Sequence, residues 1–377
     1  MDWRVPLADL EYGIEEETAV QDVLRSKWLT MGAITQEFEA KFSQYLGVKH
    51  AVAVSNATEA LHLACLALGI GPGDEVITPS LSFVATSNAV LYTGADVRFA
   101  DVIGTEDLTI DPENIAKRIN SKTKAIIVMH YAGYPCKMKE ILSVAKKFNI
   151  AVIEDAAHAP GASLESKPMG TWGAIGCFSF FSNKNLSTGE GGMLVTDRDD
   201  IAEKVRLMRS HGMTTLTFDR HKGHAYSYDV VDLGYNYRID EIRSALGIQQ
   251  LIKLADNNRH RKKWTEQYWQ TLESSDVILP FRRRAGISAY HIFPMILPEG
   301  INRKVFMDKL RAKGIQTSIH YPPIHRFSYY QARYGDESLP KTENIAEREV
   351  TLPLYPGMQL AQVNLVTEAV KNSLNTI

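Results

Sequence analysis

Cysteine is scarce in this chain. Three occur in 377 residues, at positions 65, 136 and 177, with no Cys-x-x-Cys pair. That excludes a disulfide scaffold, offers no zinc-ligand spacing and suits a reducing compartment. An excess of either charge is also missing: 42 Lys and Arg stand against 44 Asp and Glu, a net charge of -2. A nucleic-acid or membrane-surface binder would need a basic face, so neither partner is expected. No apolar run approaches the ~20 residues of a membrane span. The opening MDWRVPLADLEYG has acidic residues where a secretion signal needs basic and then apolar ones, so a cytoplasmic location is expected. Neither G-x-G-x-x-G nor G-x-x-x-x-G-K-[ST] occurs, which removes the dinucleotide fingerprint and the P-loop. What remains is ordinary for a globular protein, 45% hydrophobic and 23% charged, with chain enough for two domains or one large one.

The sequence is organised around CFSFFSNKNLSTGEGGMLVT, residues 177–196. Its ends, 177–181 and 193–195, read as short buried strands. The segment between them, rich in Ser, Asn, Thr and Gly, reads as a tight polar turn. Lys184 stands in that turn. An ammonium taken from water costs free energy unless it is paired or chemically changed. Imine formation with a carbonyl is one such change. A turn lysine snorkelling to solvent also fits this stretch.

Upstream, two surface helices (14–24 and 36–46) flank a turn-rich connector at 26–35. Strands at 51–54, 75–78, 97–101, 125–130 and 150–155 then alternate with helices at 59–68, 83–93, 137–148 and 201–209. This alternation implies an α/β fold, a three-layer αβα arrangement around a mostly parallel sheet. Ligands in such folds sit at the carboxyl ends of the strands. Residues 55–58, 79–83, His130, 155–158 and Lys184 lie there. Strand 51–54 running into SNAT and a helix start is a ready anion site, although a plain N-cap by Asn56 or Thr58 has the same signature. Asp155 ends an apolar strand, where a carboxylate needs a cation or a donor. It also fits a helix N-cap, and His158 fits a satisfied core histidine. A long helix is expected from Ile239 to about Leu272, interrupted near Asn257. Strands at 291–297 and 316–319, helices at 303–313 and 360–374 and the loop HYPPIH then form a smaller α+β unit. The expected division is a large domain over 1–250, with 1–35 peripheral to it, and a small C-terminal domain over 251–377.

Six segments in order resemble the DegT/StrS family of pyridoxal-phosphate-dependent sugar aminotransferases, which share fold type I of the aspartate aminotransferase superfamily. They are SNATEALHLACLALGIGPGDEVITPSLSFVATSNAV, TKAIIVMHYAGYP, VIEDAAHAPGA, CFSFFSNKNLSTGEGGMLVT, GYNYRIDEI and HYPPIH, and they span nearly the whole chain. The resemblance implies pyridoxal 5'-phosphate as cofactor and carries roles over position by position. Lys184 matches the lysine that forms the imine, and Asp155 the aspartate that pairs with the pyridine nitrogen. His158 would lie near the phenolic oxygen, and Phe83 matches an aromatic stacked on the ring. Thr58, the amide of Glu59 and Ser179 match phosphate ligands. Asn236 matches an asparagine that reaches the phosphate from the neighbouring subunit, which implies a homodimer with shared active sites. For the substrate, the resemblance implies a lining of Thr30, Met31, Gly32, Tyr321 and His325, joined by the partner subunit's Tyr235 and Arg238. His320 and His325 also fit a pair that merely orders its loop, and they lack companion ligands at metal spacing.

These roles agree with elementary chemistry. A carboxylate beside the pyridine nitrogen keeps it protonated. Lys184, once displaced, is a base within reach of the substrate carbon. The resemblance therefore implies ping-pong transamination, with an amino acid donor (L-glutamate) and a nucleotide-linked keto-deoxysugar acceptor. A cyclitol ketone or aminoquinoid acceptor is the alternative, and a non-catalytic regulatory member a third reading. Two departures stand out: SNAT replaces the commoner S-G-T, and Lys137 stands where an aspartate often follows the H-Y-x-G-x-P run. Relatives with histidine in place of the lysine act as dehydratases; here Lys184 is present.

Overall fold

The computed structural model describes residues 3–214 and 227–376. The apolar runs pair into one seven-stranded sheet. Its strands are β1 (His50–Val54), β2 (Glu75–Pro79), β3 (Asp96–Ala100), β4 (Thr123–Met129), β5 (Ala151–Asp155), β6 (Ile175–Ser179) and β7 (Gly192–Thr196). The order across the sheet is β1-β7-β6-β5-β4-β2-β3. β7 runs antiparallel to both its neighbours, and every other pairing is parallel. Strands covered on both faces read as continuous apolar runs, and β6 and β7 are buried throughout.

Successive strand residues face opposite sides, and each side has its own core. Ile126, Val128 and Phe178 pack with Phe38 and Phe42 of α2 (Ala33–Leu46) and with Ile248 and Leu254 of a long C-terminal helix. Ile127, Ile153 and Cys177 pack with Leu61 and Leu63 of α3 (Ala57–Ala67) and Val90 of α4 (Ala85–Leu91). This gives the three layers expected from the alternation.

The long helix, α5 (Glu241–Leu272), has 32 residues and no interruption; Asn257 is buried within it. The interruption expected near Asn257 is absent: Asn258 Nδ2 donates to the Pro160 carbonyl at 2.9 Å and its Oδ1 accepts from Asn185 at 2.7 Å, so the polar residues there are held by tertiary contacts. Position 250 therefore lies mid-helix. The first half of α5 belongs to the large core, while Trp264, Tyr268 and Leu272 belong to a second core. That second core includes β8 (Phe293–Ile296), β9 (Glu349–Leu352), α6 (Arg303–Ala312) and α7 (Leu360–Leu374). Two expectations are corrected here. Residues 316–319 form no strand and make a single isolated bridge, Ser318 to Thr351; β8 pairs with β9, a strand the sequence reading missed. The N-terminus is not peripheral to the large domain: Val5 is fully buried in the small core and bridges Ile315. Among the described residues no helix is long and apolar enough to cross a membrane.

Candidate active site

A cleft of about 720 Å³ opens at the carboxyl ends of β1, β5 and β6, closed on one side by His320 and Tyr321 of the HYPPIH loop. Asp155, the last residue of β5, is 5% exposed. Its Oδ2 accepts from the Thr86 hydroxyl of α4 at 2.7 Å and its Oδ1 from the Ala157 amide at 3.2 Å. Burial pushes its pKa up from 3.8, against those two donors and the charges of Lys184 and His130. Lys184 sits in the turn joining β6 to β7, its amide bonded to the Phe181 carbonyl at 2.8 Å. Burial lowers its pKa to about 8, with Asp155 acting in the opposite sense. The cleft thus holds a carboxylate in want of a cation and a lysine that is readily the free, nucleophilic amine.

At the other end, β1 runs into the start of α3. Asn56 is the N-cap, its Oδ1 accepting from the Glu59 amide at 3.0 Å. The Glu59 carboxylate turns back to accept from the Ser55 hydroxyl and, at 3.2 Å, from the Ser55 amide. Ala57, Thr58 and Ser179 line the cleft beside this helix start. Between the two ends, Phe83 presents its ring on the wall, 56% exposed and 6.0 Å from the ring of Tyr321. His158 is 2% exposed; its Nε2 is 3.0 Å from the Tyr321 hydroxyl, and its Nδ1 is buried without a partner. Burial, helped by Lys184 and His320, holds His158 well below its ordinary pKa, so the ring is neutral.

The sequence profile of the DegT/DnrJ/EryC1/StrS aminotransferase family matches residues 11–371. The chain belongs to this family. The spore coat polysaccharide biosynthesis protein SpsC of Bacillus subtilis is 38% identical over 96% of this chain and 94% of its own. Among solved structures, Helicobacter pylori PseC, an aminotransferase involved in the biosynthesis of pseudoaminic acid, superposes with a TM-score of 0.92 at 30% identity, covering all of both chains. The PMP form of Spr1654 from Streptococcus pneumoniae gives 0.92 at 27% identity over 99% of this chain and 100% of that one. The same protein is also solved in its PLP form. This aminotransferase thus has the type I fold and uses pyridoxal phosphate.

The aminotransferase's own residues fit that cofactor. An amine and a buried carboxylate share one cleft with a helix start at one end, an aromatic face on the wall and an unpartnered buried His158 nitrogen. One expected phosphate donor needs correction: the Glu59 amide is already engaged by the Asn56 cap, which leaves Ala57, Thr58 and Ser179 beside the helix start.

The structure brings together Lys184, Asp155, His158, Thr58, Glu59, Phe83, Ser179 and Tyr321. Others fall elsewhere. His325 does not line the cleft; its Nδ1 is 2.6 Å from Ser80 Oγ and its Nε2 3.1 Å from Glu343 Oε1, so both ring nitrogens are spent on ordering the loop. His130 pairs with the buried Glu154 at 2.9 Å, and Glu154 accepts three further amides from residues 170, 172 and 173. Thr30, Met31 and Gly32 lie at the start of α2, where the Glu241 carboxylate collects the Gly32, Ile34 and Thr35 amides. Tyr235 stacks on Tyr237 with centroids 4.9 Å apart. Neither it nor Asn236 nor Arg238 lines the cleft of its own chain. Sequence reasoning missed Thr86, Asn183 and Tyr237. Thr86 had a signal, a hydroxyl three residues after Phe83 at a helix start; the other two had none.

Proposed function

We propose that this enzyme transfers an amino group from L-glutamate to a nucleotide-linked keto-deoxysugar by a ping-pong route, acting as a homodimer in the cytoplasm. The observation that carries the chemistry is the pairing, in one cleft, of Lys184 with a pKa near 8 and the buried carboxylate of Asp155. When bound, pyridoxal phosphate supplies an aldehyde for Lys184 and a ring that takes up electrons. Asp155 provides the negative charge that keeps the ring nitrogen protonated. The Lys184 amine, once displaced, would be the base that takes the proton from the substrate carbon and holds it for return. The start of α3, with Thr58, and Ser179 would hold the phosphate by amides, hydroxyls and the helix dipole. Phe83 would offer its exposed ring to one face of the cofactor.

Support for a ping-pong route comes from Spr1654, which is solved in both PLP and PMP forms. Support for a sugar acceptor comes from SpsC and PseC, whose names place them in polysaccharide and pseudoaminic acid biosynthesis. The cleft volume lies within the ~300–1,000 Å³ of small-molecule sites. A dimer is supported by apolar side chains left on the surface close to one another in sequence, Tyr228, Val230, Val231 and Leu233, each at least 55% exposed. Three unpaired cysteines suit a reducing compartment. The test is a panel of nucleotide-linked keto-deoxysugars and cyclitol ketones, each with glutamate and with glutamine. Turnover of a sugar nucleotide with glutamate is expected; turnover of cyclitols alone overturns the acceptor.

A further inference from the structure

His320, one of the two HYPPIH-loop residues that close the cleft, is gripped from β9 of the small core. Glu349, the first residue of β9, is 1% exposed, and Thr351 is fully buried. Glu349 Oε2 accepts from the His320 amide at 2.8 Å. Its Oε1 lies 2.6 Å from Thr351 Oγ1, which in turn lies 2.8 Å from His320 Nδ1. A carboxyl, a hydroxyl and an imidazole are therefore linked in series. His320 lines the cleft with Lys184, Asp155 and His158.

A threonine hydroxyl has a single proton and donates to one side at a time. With Glu349 ionised, Thr351 donates to Glu349 and accepts from His320, so the imidazole proton sits on Nδ1 and Nε2 keeps a lone pair. With Glu349 protonated the order reverses. The carboxyl donates to Thr351, Thr351 donates to Nδ1, and the imidazole proton sits on Nε2. The ring stays neutral in both states, because burial and Lys184 lower its pKa to about 3.

We propose that Glu349, Thr351 and His320 form a proton relay that sets whether His320 Nε2 meets the reacting groups as an acceptor or as a donor. His320 is the catalytic member, and Glu349 and Thr351 are positioning residues that act through it. In the forward sense, the Glu349 proton passes to Thr351 Oγ1 and the Thr351 proton to His320 Nδ1. The Nε2 proton then leaves for an oxygen in the cleft, such as the one lost as water when an amine condenses with a ketone. The reverse sequence restores the starting state, and no oxidant or reductant is involved.

The surroundings let the relay switch at an ordinary pH. Burial raises Glu349 to about 8, against the Thr351 hydroxyl, the His320 amide and the charge of Arg303 on α6. The Arg303 guanidinium itself donates to the backbone carbonyl of Glu349, at 3.3 Å. Tyr131 and Tyr321 also face Glu349, and the Tyr131 hydroxyl donates to the His320 carbonyl. Lys184, His158 and His291 are the titratable groups that feel His320.

The first test is the tautomer itself, read from imidazole nitrogen shifts in holoenzyme carrying 15N-histidine. His320 is expected to pass from Nε2–H to Nδ1–H as pH rises through about 8 while remaining neutral. In Glu349→Gln the amide donates to Thr351 at every pH, so His320 is expected to stay Nε2–H. One tautomer throughout in the wild type, or an unchanged titration in E349Q, overturns the proposal. The second test needs no Glu349 variant. Thr351→Val, which keeps the side-chain shape, is expected to lower kcat of the amino-donor half-reaction about 10²-fold with KM within about twofold. Thr351→Ser is expected to restore most of it. A serine variant no better than valine, or a loss carried by KM, overturns the relay. Neither readout uses a sugar, so a failed acceptor assignment leaves both tests intact.

Discussion

Gly192 of β7 abuts the backbone of Asn56, the N-cap of α3: a Cβ on Gly192 would lie 2.5 Å from the Asn56 carbonyl carbon and 2.8 Å from the Ala57 amide nitrogen. The strand leaving the Lys184 turn is thus the seat for the helix start proposed to hold the phosphate. Gly192→Ala must push the two apart, since backbone does not yield as a flexible side chain does. A cost of about 1–3 kcal/mol is expected, together with weaker cofactor retention. Thermal unfolding and cofactor loss on dilution measure both; unchanged retention would show that the seat does not matter.

Lys184 should reveal its depressed pKa before any substrate is present. Burial disfavours the ammonium, so the apoenzyme should condense with pyridoxal phosphate about tenfold faster per pH unit on approaching about 8, and level off above it. Lys184→Ala should show no such condensation and no label after borohydride. A profile still climbing toward pH 10.5 would place the amine in water instead.

Asp155 should trade stability for function. A carboxyl whose folded pKa lies above its unfolded value of 3.8 costs stability once pH exceeds that value. Apo Asp155→Asn should therefore melt higher than wild type at pH 7, with the gap closing as pH falls below 3.8. Its turnover should drop by at least about 10²-fold, because the ring nitrogen loses its counter-charge. Thr86→Val, which removes one hydrogen bond to that carboxylate, should cost about 1.5–3 kcal/mol.

His325 and Tyr321 lie four residues apart, yet their variants should behave differently. His325→Ala breaks contacts to Ser80 and Glu343 and should lower stability by about 1–3 kcal/mol with KM unchanged. Tyr321→Phe frees His158 Nε2 inside the cleft and should alter steady-state constants with little change in melting temperature. A KM effect confined to His325→Ala would return that histidine to the substrate.

Shared active sites can be tested by mixing inactive chains. Asn236 is exposed and absent from its own cleft. Refolded mixtures of Lys184→Ala and Asn236→Ala chains should regain activity beyond either parent, since every mixed dimer carries one intact site. No recovery, with both variants folded and dimeric, would assign each cleft to a single chain.

Much of this protein is written locally. Strand-length apolar runs, the turn around Lys184 and the carboxylate ending β5 each follow from neighbouring residues, and with them came the layered sheet and the lysine–aspartate pair. The final helix expected over 360–374 is present with those bounds. Other features depend on partners far along the chain. Val5 joins a core built mainly of residues beyond 260, Glu241 caps a helix some 200 positions earlier, and Glu349 reaches the cleft only through Thr351 and His320. Short-range pattern encodes which segments are buried and which turn is polar, because those depend on hydrophobicity and backbone freedom. Which histidine faces the cleft and which is consumed by its own loop depends on hydrogen-bond partners that only the folded chain brings within about 3 Å.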